Sequence, residues 1–184
     1  MNIVVVNGSP RANGRTRFLA KQIADSNNFT NLDLAFEQVP LYNGEAEQKE
    51  IEAVKAIREL LVKADGIVIC TPEYNNAMSG ALKNLVELLG SEPFKKKPIS
   101  LLAVAGGGKG GINALNSMRT VIRGVYGNAL PKQLVLDPVD FENDTAVKPE
   151  AFAKVAEVID ELKEYVQKEI LYKEYIESNS VSKK

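Results

Sequence analysis

The sequence predicts an α/β three-layer sandwich, a five-stranded parallel sheet in the order 2-1-3-4-5 with helices on both faces. Apolar runs at 2–6, 31–37, 66–70, 98–105 and 132–138 alternate with segments of helical period, five times over. The first run, NIVVV, is β-branched and continuous, as strands covered on both faces are. No internal repeat or linker interrupts the alternation, so right-handed crossovers and one parallel sheet follow. In a sheet of that order the direction of winding reverses between strands 1 and 3. Ligands bind beyond the carboxyl ends of the strands at such a point.

Each element has its own signal. After the first strand, 15–26 reads as helix with Phe18, Leu19 and Ile23 on one side. NLDLAFE (31–37) alternates, with Leu32, Leu34 and Phe36 on one face, and suits an edge strand. A helix follows at about 47–64, where Ile51, Val54, Ile57, Leu60 and Leu61 recur at the 3.6-residue period. GIVIC (66–70) is the third strand. The helix after it has Ser79 as its N-cap and Gly90 as its stop. PISLLAVA (98–105) leads through a glycine-rich loop into a helix carrying Ile112, Leu115, Met118, Ile122 and Val125. KQLVLDP (132–138) is the fifth strand. The last helix starts after Pro149 and buries Phe152, Val155, Ile159, Leu162 and Val166. A single domain over 1–176 is expected, with 177–184 as a disordered tail.

Composition narrows the function. The 184 residues carry 23 Lys+Arg against 24 Asp+Glu, a net charge of -1. That balance gives no general attraction to nucleic acid or to an anionic membrane, and the three lysines of KKKP (95–98) read as a solvated edge. No apolar run approaches the roughly 20 residues needed to cross a bilayer. The N-terminal residues read as a strand rather than a signal peptide, and the lone Cys70, inside GIVIC, as inert core of a protein in a reducing, cytoplasmic compartment. There is no histidine at all. Ser-His-Asp and Cys-His nucleophiles are therefore excluded, as are His-based metal sites. Any enzymatic chemistry has to come from carboxylates, backbone dipoles or a cofactor.

Three loops share the carboxyl edge. NGSPRANGRT (7–16) combines the hydroxyls of Ser9 and Thr16, the Asn13 amide, and Arg11 and Arg15 with a helix N-terminus, a set suited to a phosphate monoester. It is neither G-x-G-x-x-G nor a Walker A loop. AGGGKGG (105–111) does match G-x-G-x-x-G at Gly106, Gly108 and Gly111, but it follows the fourth strand and lacks a suitably placed acidic residue. It reads as a flexible loop that lets backbone approach a flat ligand, or as a purely structural turn. Between them lies TPEYNNAMSG (71–80). Pro72 fixes its exit direction, and Tyr74 offers a flat face with a polar tip. Asn75 and Asn76 suit either hydrogen bonds to a heterocycle edge or tight turn geometry. A phosphate loop, a loop for a ring's polar edge and a glycine loop together describe a phosphorylated aromatic cofactor.

GSPRANGRT, PEYNNAMSGALKN and the glycine loop resemble the NADPH-dependent FMN reductase family, flavodoxin-like flavin, quinone, azo-dye and chromate reductases, over roughly residues 2–140. The resemblance implies that Ser9, Arg11, Asn13, Arg15 and Thr16 hold the FMN phosphate. It implies that Pro72, Glu73, Tyr74 and Asn75 line the isoalloxazine, and that Gly106 and Gly107 border its other side. It further implies a ping-pong cycle in which hydride passes from NADPH (or NADH) to flavin N5, then on to a quinone, flavin, azo or similar small-molecule electron acceptor. No side-chain base is required, in keeping with the missing histidines. Glu73 suits a general acid or a cap on backbone amides; Arg15 and Lys109 are candidates for a nicotinamide 2′-phosphate. A homodimer or homotetramer is implied, with the L-K-N segment at Lys83 near subunit contacts. The chain departs from true flavodoxins in lacking their T-G-x-T loop, and from many family members in the glycine content of 107–110. Two other readings stand beside this one: an electron-transfer carrier, which strong acidity would favour and a charge of -1 does not, and a cofactor-free binding domain.

Overall fold

The computed structural model describes residues 1–108 and 110–181. Five parallel strands form one sheet in the order β2-β1-β3-β4-β5: β1 Ile3–Asn7, β2 Thr30–Asp33, β3 Gly66–Pro72, β4 Pro98–Val104 and β5 Asn128–Leu136. Every residue of β1, β3 and β4 is buried, because helices cover both faces. Helices α2 (Glu52–Val62), α3 (Gly80–Leu89) and α4 (Ile112–Gly124) pack one face through Val54, Ile57, Leu85, Leu115 and Met118. Helices α1 (Arg15–Asn27) and α5 (Pro149–Val181) pack the other through Leu19, Ile23, Val155, Ile159 and Leu162. The strand order and the two-sided covering agree with the sequence reading.

The differences have local causes. Strand β2 stops at Asp33, four residues before the alternating pattern ends. The Asp33 carboxylate accepts from the Ala35 amide at 3.2 Å and the Phe36 amide reaches back to the Asp33 carbonyl, so the chain turns. Phe36 is left 62% exposed under the Arg17 guanidinium, 4.7 Å from the ring centre. The helix expected from 47 breaks at Ile51, which adopts an extended ψ of 127° between a 3-10 turn (Ala46–Glu50) and α2. Ile51 is consequently exposed and does not join the core stripe.

Strand β5 begins at Asn128, earlier than 132, and its pairing with β4 slips between Ile99 and Leu101. Pro131 lies inside that slip, where an edge strand tolerates a missing donor. Arg119 stabilises the irregularity by donating to the carbonyls of Ala129, Leu130 and Pro131 and to Gln133 Oε1. A small antiparallel hairpin, β6 (Phe141–Glu142) and β7 (Ala146–Val147), is an element that the sequence reading lacks. Its turn places Asn143 and Asp144 at φ 48° and 58°, a conformation these residues tolerate, so the Asn-Asp pair was the available signal. Helix α5 runs on to Val181, past the boundary at 176 where a disordered tail was expected; residues 182–184 lie outside the described residues. Among the described residues no helix is long and apolar enough to cross a membrane.

Candidate active site

The three loops meet at the carboxyl edge, around the point between β1 and β3 where the winding reverses. Gly8 opens the first. Its amide donates to the Cys70 carbonyl at 2.7 Å, and a Cβ there would stand 2.9 Å from that same oxygen. Only glycine lets the loop cross β3 so closely. Asn7, fully buried, then holds the loop with its amide group: Oδ1 accepts from the Ser9 amide at 3.1 Å, and Nδ2 donates to the Ser9 carbonyl at 3.2 Å and to Asp33 Oδ1 at 2.6 Å. Arg17 completes this support by pairing with Asp33 at 2.6 Å and donating to the Ala12 carbonyl. The Asn7–Asp33–Arg17 group was missed from sequence because its members lie on three separate elements.

Helix α1 starts directly after this loop with Gly14 as its N-cap, no side-chain cap and no acidic residue in its first turn. Its free amides and the positive end of its dipole therefore face the loop. Ser9 Oγ accepts from the Arg11 amide at 3.2 Å and leaves its own proton to donate. Arg11 is exposed and Thr16 buried. Arg15 pairs with Asp144 of the β6–β7 turn at 3.0 Å, through one terminal nitrogen. An uncapped helix start, a hydroxyl and two guanidinium groups fit a phosphate monoester.

The second loop is stitched to the first. Ser79 Oγ donates to the Gly8 carbonyl and accepts from the Leu82 amide, capping α3 as expected, while the Ser79 amide donates to Thr71 Oγ1 at 3.2 Å. Tyr74 and Ala77 exchange backbone hydrogen bonds of 2.9 and 3.2 Å, closing a two-residue hairpin. Asn75 and Asn76 occupy its tip at φ 49° and 65°. Of the two roles open to these asparagines, turn geometry is the one their backbones adopt, and the Asn76 amide oxygen is further engaged by Asn113 at 3.0 Å.

Glu73 points toward the third loop. Its Oε2 accepts from the Ala114 amide at 3.0 Å, in the first turn of α4. That helix begins at Gly111, which has no side chain to cap it and whose φ of 89° only glycine adopts easily. A Cβ on Gly111 would also stand 2.4 Å from Val135. Glu73 thus supplies, from 41 residues away, the cap that α4 lacks. Lys109 lies outside the described residues.

Ser9, Arg11, Arg15, Thr16, Pro72, Glu73, Tyr74 and Gly106 converge on one shallow cavity of about 70 Å³, joined by Gly14, Val104 and Ala105. Asn13 lies instead in the adjoining 250 Å³ cleft under Asp144 and Thr145. Asn75, at the hairpin tip, and Gly107 line neither. Val104 and Ala105 escaped notice because a strand's last apolar residues carry no polar signal. Cys70 is buried, and burial pushes its thiol well above the usual range, so it is no nucleophile at neutral pH. No group of three or more His, Cys, Asp or Glu able to hold a metal ion occurs among the described residues. An uncapped helix start with hydroxyl and guanidinium groups stands beside a cavity bordered by Pro72, Tyr74 and Gly106, an arrangement that fits a phosphorylated ring cofactor carrying its own chemistry.

Comparison with known proteins bears on that arrangement. The NADPH-dependent FMN reductase family model matches residues 1–140. An NADPH azoreductase of Bacillus sp. (strain OY1-2) is 54% identical over 174 residues, 95% of this chain and 96% of its own length. The FMN-dependent NADPH-azoreductase of Staphylococcus aureus (strain USA300) is 28% identical over 155 residues, 77% of this chain and 79% of its own. Among solved structures, the flavoenzyme NAD(P)H:(acceptor) oxidoreductase FerB of Paracoccus denitrificans shares the fold with a TM-score of 0.75 at 21% identity, covering 91% of this chain and 97% of that one. Together with the uncapped α1 terminus and the three converging loops, these matches identify the chain as a member of the NADPH-dependent FMN reductase family, an FMN-dependent NAD(P)H oxidoreductase of flavodoxin-like fold.

Proposed function

We propose that this chain reduces azo compounds and quinone-type acceptors with NADPH, using FMN held at the β1–β3 edge. The observation that carries the site assignment is the convergence of the α1 N-terminus, Ser9, Arg11 and Thr16 with Pro72–Tyr74 and Val104–Gly106 on one cavity. The cradle residues, with Asn13 and Arg15 at its outer side, bind the FMN phosphate. Pro72, Glu73 and Tyr74 would border one side of the ring and Gly106 the other, with Asn75 and Gly107 shaping the loops outside the cavity. When bound, the flavin supplies hydride acceptance and onward electron transfer. The residues around it bind and orient: Ser79 locks the first two loops together, and Glu73 holds the third against the second. The cavity opens to solvent, which would leave room for successive substrates to reach the cofactor, as ping-pong turnover needs. Azo acceptors are favoured by the two azoreductase relatives.

The chain works as a homodimer in the cytoplasm on this reading. Leu41 is 81% exposed and Tyr42 44%, on a loop fastened to α3 by Asn84, whose Oδ1 accepts from the Tyr42 amide at 2.8 Å while Nδ2 donates to the Pro40 carbonyl at 2.9 Å. Two exposed apolar side chains held rigidly are suited to burial against a second copy.

Purified protein with FMN should oxidise NADPH in the presence of an azo dye or quinone. Background turnover with a flavin that an external reductase can reduce would instead make the protein an electron carrier. Arg11→Ala should weaken FMN binding by about 1–3 kcal/mol, roughly 5- to 150-fold in Kd. Unchanged affinity in a fluorescence-quenching titration removes Arg11 from the cradle.

A further inference from the structure

The segment FENDTAV (141–147) makes the β6–β7 hairpin, and its contacts fix that hairpin against α1. Phe141 and Val147 are buried in the core that α1 and α5 cover. The Val147 amide donates to Gln22 Oε1 on α1 at 3.0 Å, and the Lys148 amide to the Asp140 carbonyl at 2.9 Å. The Thr145 amide reaches the Glu142 carbonyl at 3.0 Å and closes the turn, with Asp144 at its tip. Gln22 and Arg15 are seven residues apart on one face of α1, about 10 Å along the helix. Val147 and Asp144 are three residues apart, and extended chain covers about 10 Å in that interval. The hairpin therefore runs alongside α1, with Val147 at Gln22 and Asp144 at Arg15.

Arg15 stands between two spaces. It lines both the cavity of about 70 Å³ and the cleft of about 250 Å³ beside it, whereas Asp144 lines the cleft alone. The Arg15 side chain is 22% exposed and that of Asp144 74%. Asp144 thus approaches from the solvent side and takes one terminal nitrogen, leaving Nε and the other terminal nitrogen without a partner among the described residues. Arg11 differs: its side chain is exposed, with no hydrogen bond or ion pair among the described residues. Of the two guanidinium groups, one is anchored and the other is free to swing. Fixing a long side chain costs rotamer entropy, and an anchor already in place reduces the loss on ligand binding. Because Asp144 lies outside the cavity and largely in water, solvent screens its charge from an anion held inside. Anchoring of Arg15 therefore outweighs repulsion.

We propose that Asp144 is a positioning residue for the cofactor phosphate: it holds the Arg15 guanidinium at the edge of the cavity with the remaining donors free for the phosphate oxygens. The β6–β7 hairpin then belongs to the cofactor site, although none of its residues lines the cavity. This role rests on the reading above that FMN places its phosphate at the start of α1.

The test compares FMN with riboflavin, the same ring without a phosphate, by fluorescence titration of the full chain freed of flavin. D144G keeps the positive φ of the turn and removes the carboxylate. Its Kd for FMN should rise about two- to fivefold, the range for one exposed ion pair, while its Kd for riboflavin stays at the wild-type value. D144N, which keeps an acceptor without the charge, should fall between the two. In an R15A background, D144G should leave FMN affinity where R15A puts it. Unchanged or tighter FMN binding in D144G overturns the proposal. So does an equal loss for both flavins, which makes the hairpin a structural wall, or a D144G effect that persists without Arg15. Wild-type protein that binds both flavins equally removes the phosphate from the α1 terminus, and the proposal with it; a wild-type preference for FMN that D144G leaves intact overturns the proposal alone.

Discussion

Glu73 is the residue whose meaning changes most between sequence and structure. Standing after a buried strand, it invites a proton-transfer role. Its Oε2 instead accepts from the Ala114 amide and caps α4 across the site. A cap of this kind is worth about 0.5–2 kcal/mol, so Glu73→Ala should lower the denaturant-unfolding free energy by that amount. Glu73→Gln keeps a carbonyl acceptor and should lose less, through the missing charge at the helix N-terminus. Turnover should follow stability and loop order in both variants. A stable Glu73→Gln protein whose kcat falls a hundredfold would return the carboxylate to a proton-transfer role. The sequence made the cap one of two choices, and could not choose, because Ala114 is 41 positions away.

At the scale of elements, the Tyr74–Ala77 hairpin shows how a turn governs a wall of the site. Asn75 and Asn76 both sit in the left-handed region, where residues other than glycine, asparagine and aspartate pay about 1–3 kcal/mol. Asn75→Gly keeps the turn and removes the amide, whereas Asn75→Leu strains the turn as well. FMN affinity that holds in Asn75→Gly and drops in Asn75→Leu, read by flavin titration, assigns the position a geometric role; loss in both assigns the amide a ligand contact. The outcome expected is the first, since Asn75 lies at the exposed tip and lines neither cavity. Other elements were legible in different degrees. Helix α3 was readable to its ends because Ser79 and Gly90 are local punctuation. Strand β5 was not, because its first residues are held by Arg119 from another element, and no period marks a bulge.

For the molecule as a whole, pH exposes a strain between burial and charge. Lys97 donates to the carbonyls of Leu61 and Val62 at the end of α2. Burial first, and then the nearby Lys173, bring its ammonium down from 10.5 to about 8 against the opposing pull of Asp65 and Glu92. Between those two values the unfolded chain holds a proton that the folded one has released, so unfolding takes up a proton and stability rises with pH. Below about 8 both states are protonated, and the cost is constant. The unfolding free energy of wild type minus that of Lys97→Met should therefore climb from pH 8 to 10 and stay level from pH 6 to 7.5. Cys70, held protonated by burial, acts in the other direction above 9, but it is common to both proteins and cancels. A difference that is level across both ranges would show that the ammonium keeps its ordinary affinity in the folded state.

The sequence by itself determined the alternation of strand and helix, the parallel sheet, its edge of three loops and the resemblance carried by GSPRANGRT and PEYNNAMSGALKN. Those are properties of neighbours along the chain: period, caps and turn residues. Only the tertiary structure decided that Glu73 caps α4, that the Asn7–Asp33–Arg17 group supports the loop after β1, and that Arg119 secures the β5 bulge. Each of these joins groups far apart in sequence, and their energy depends on distances that no local pattern encodes.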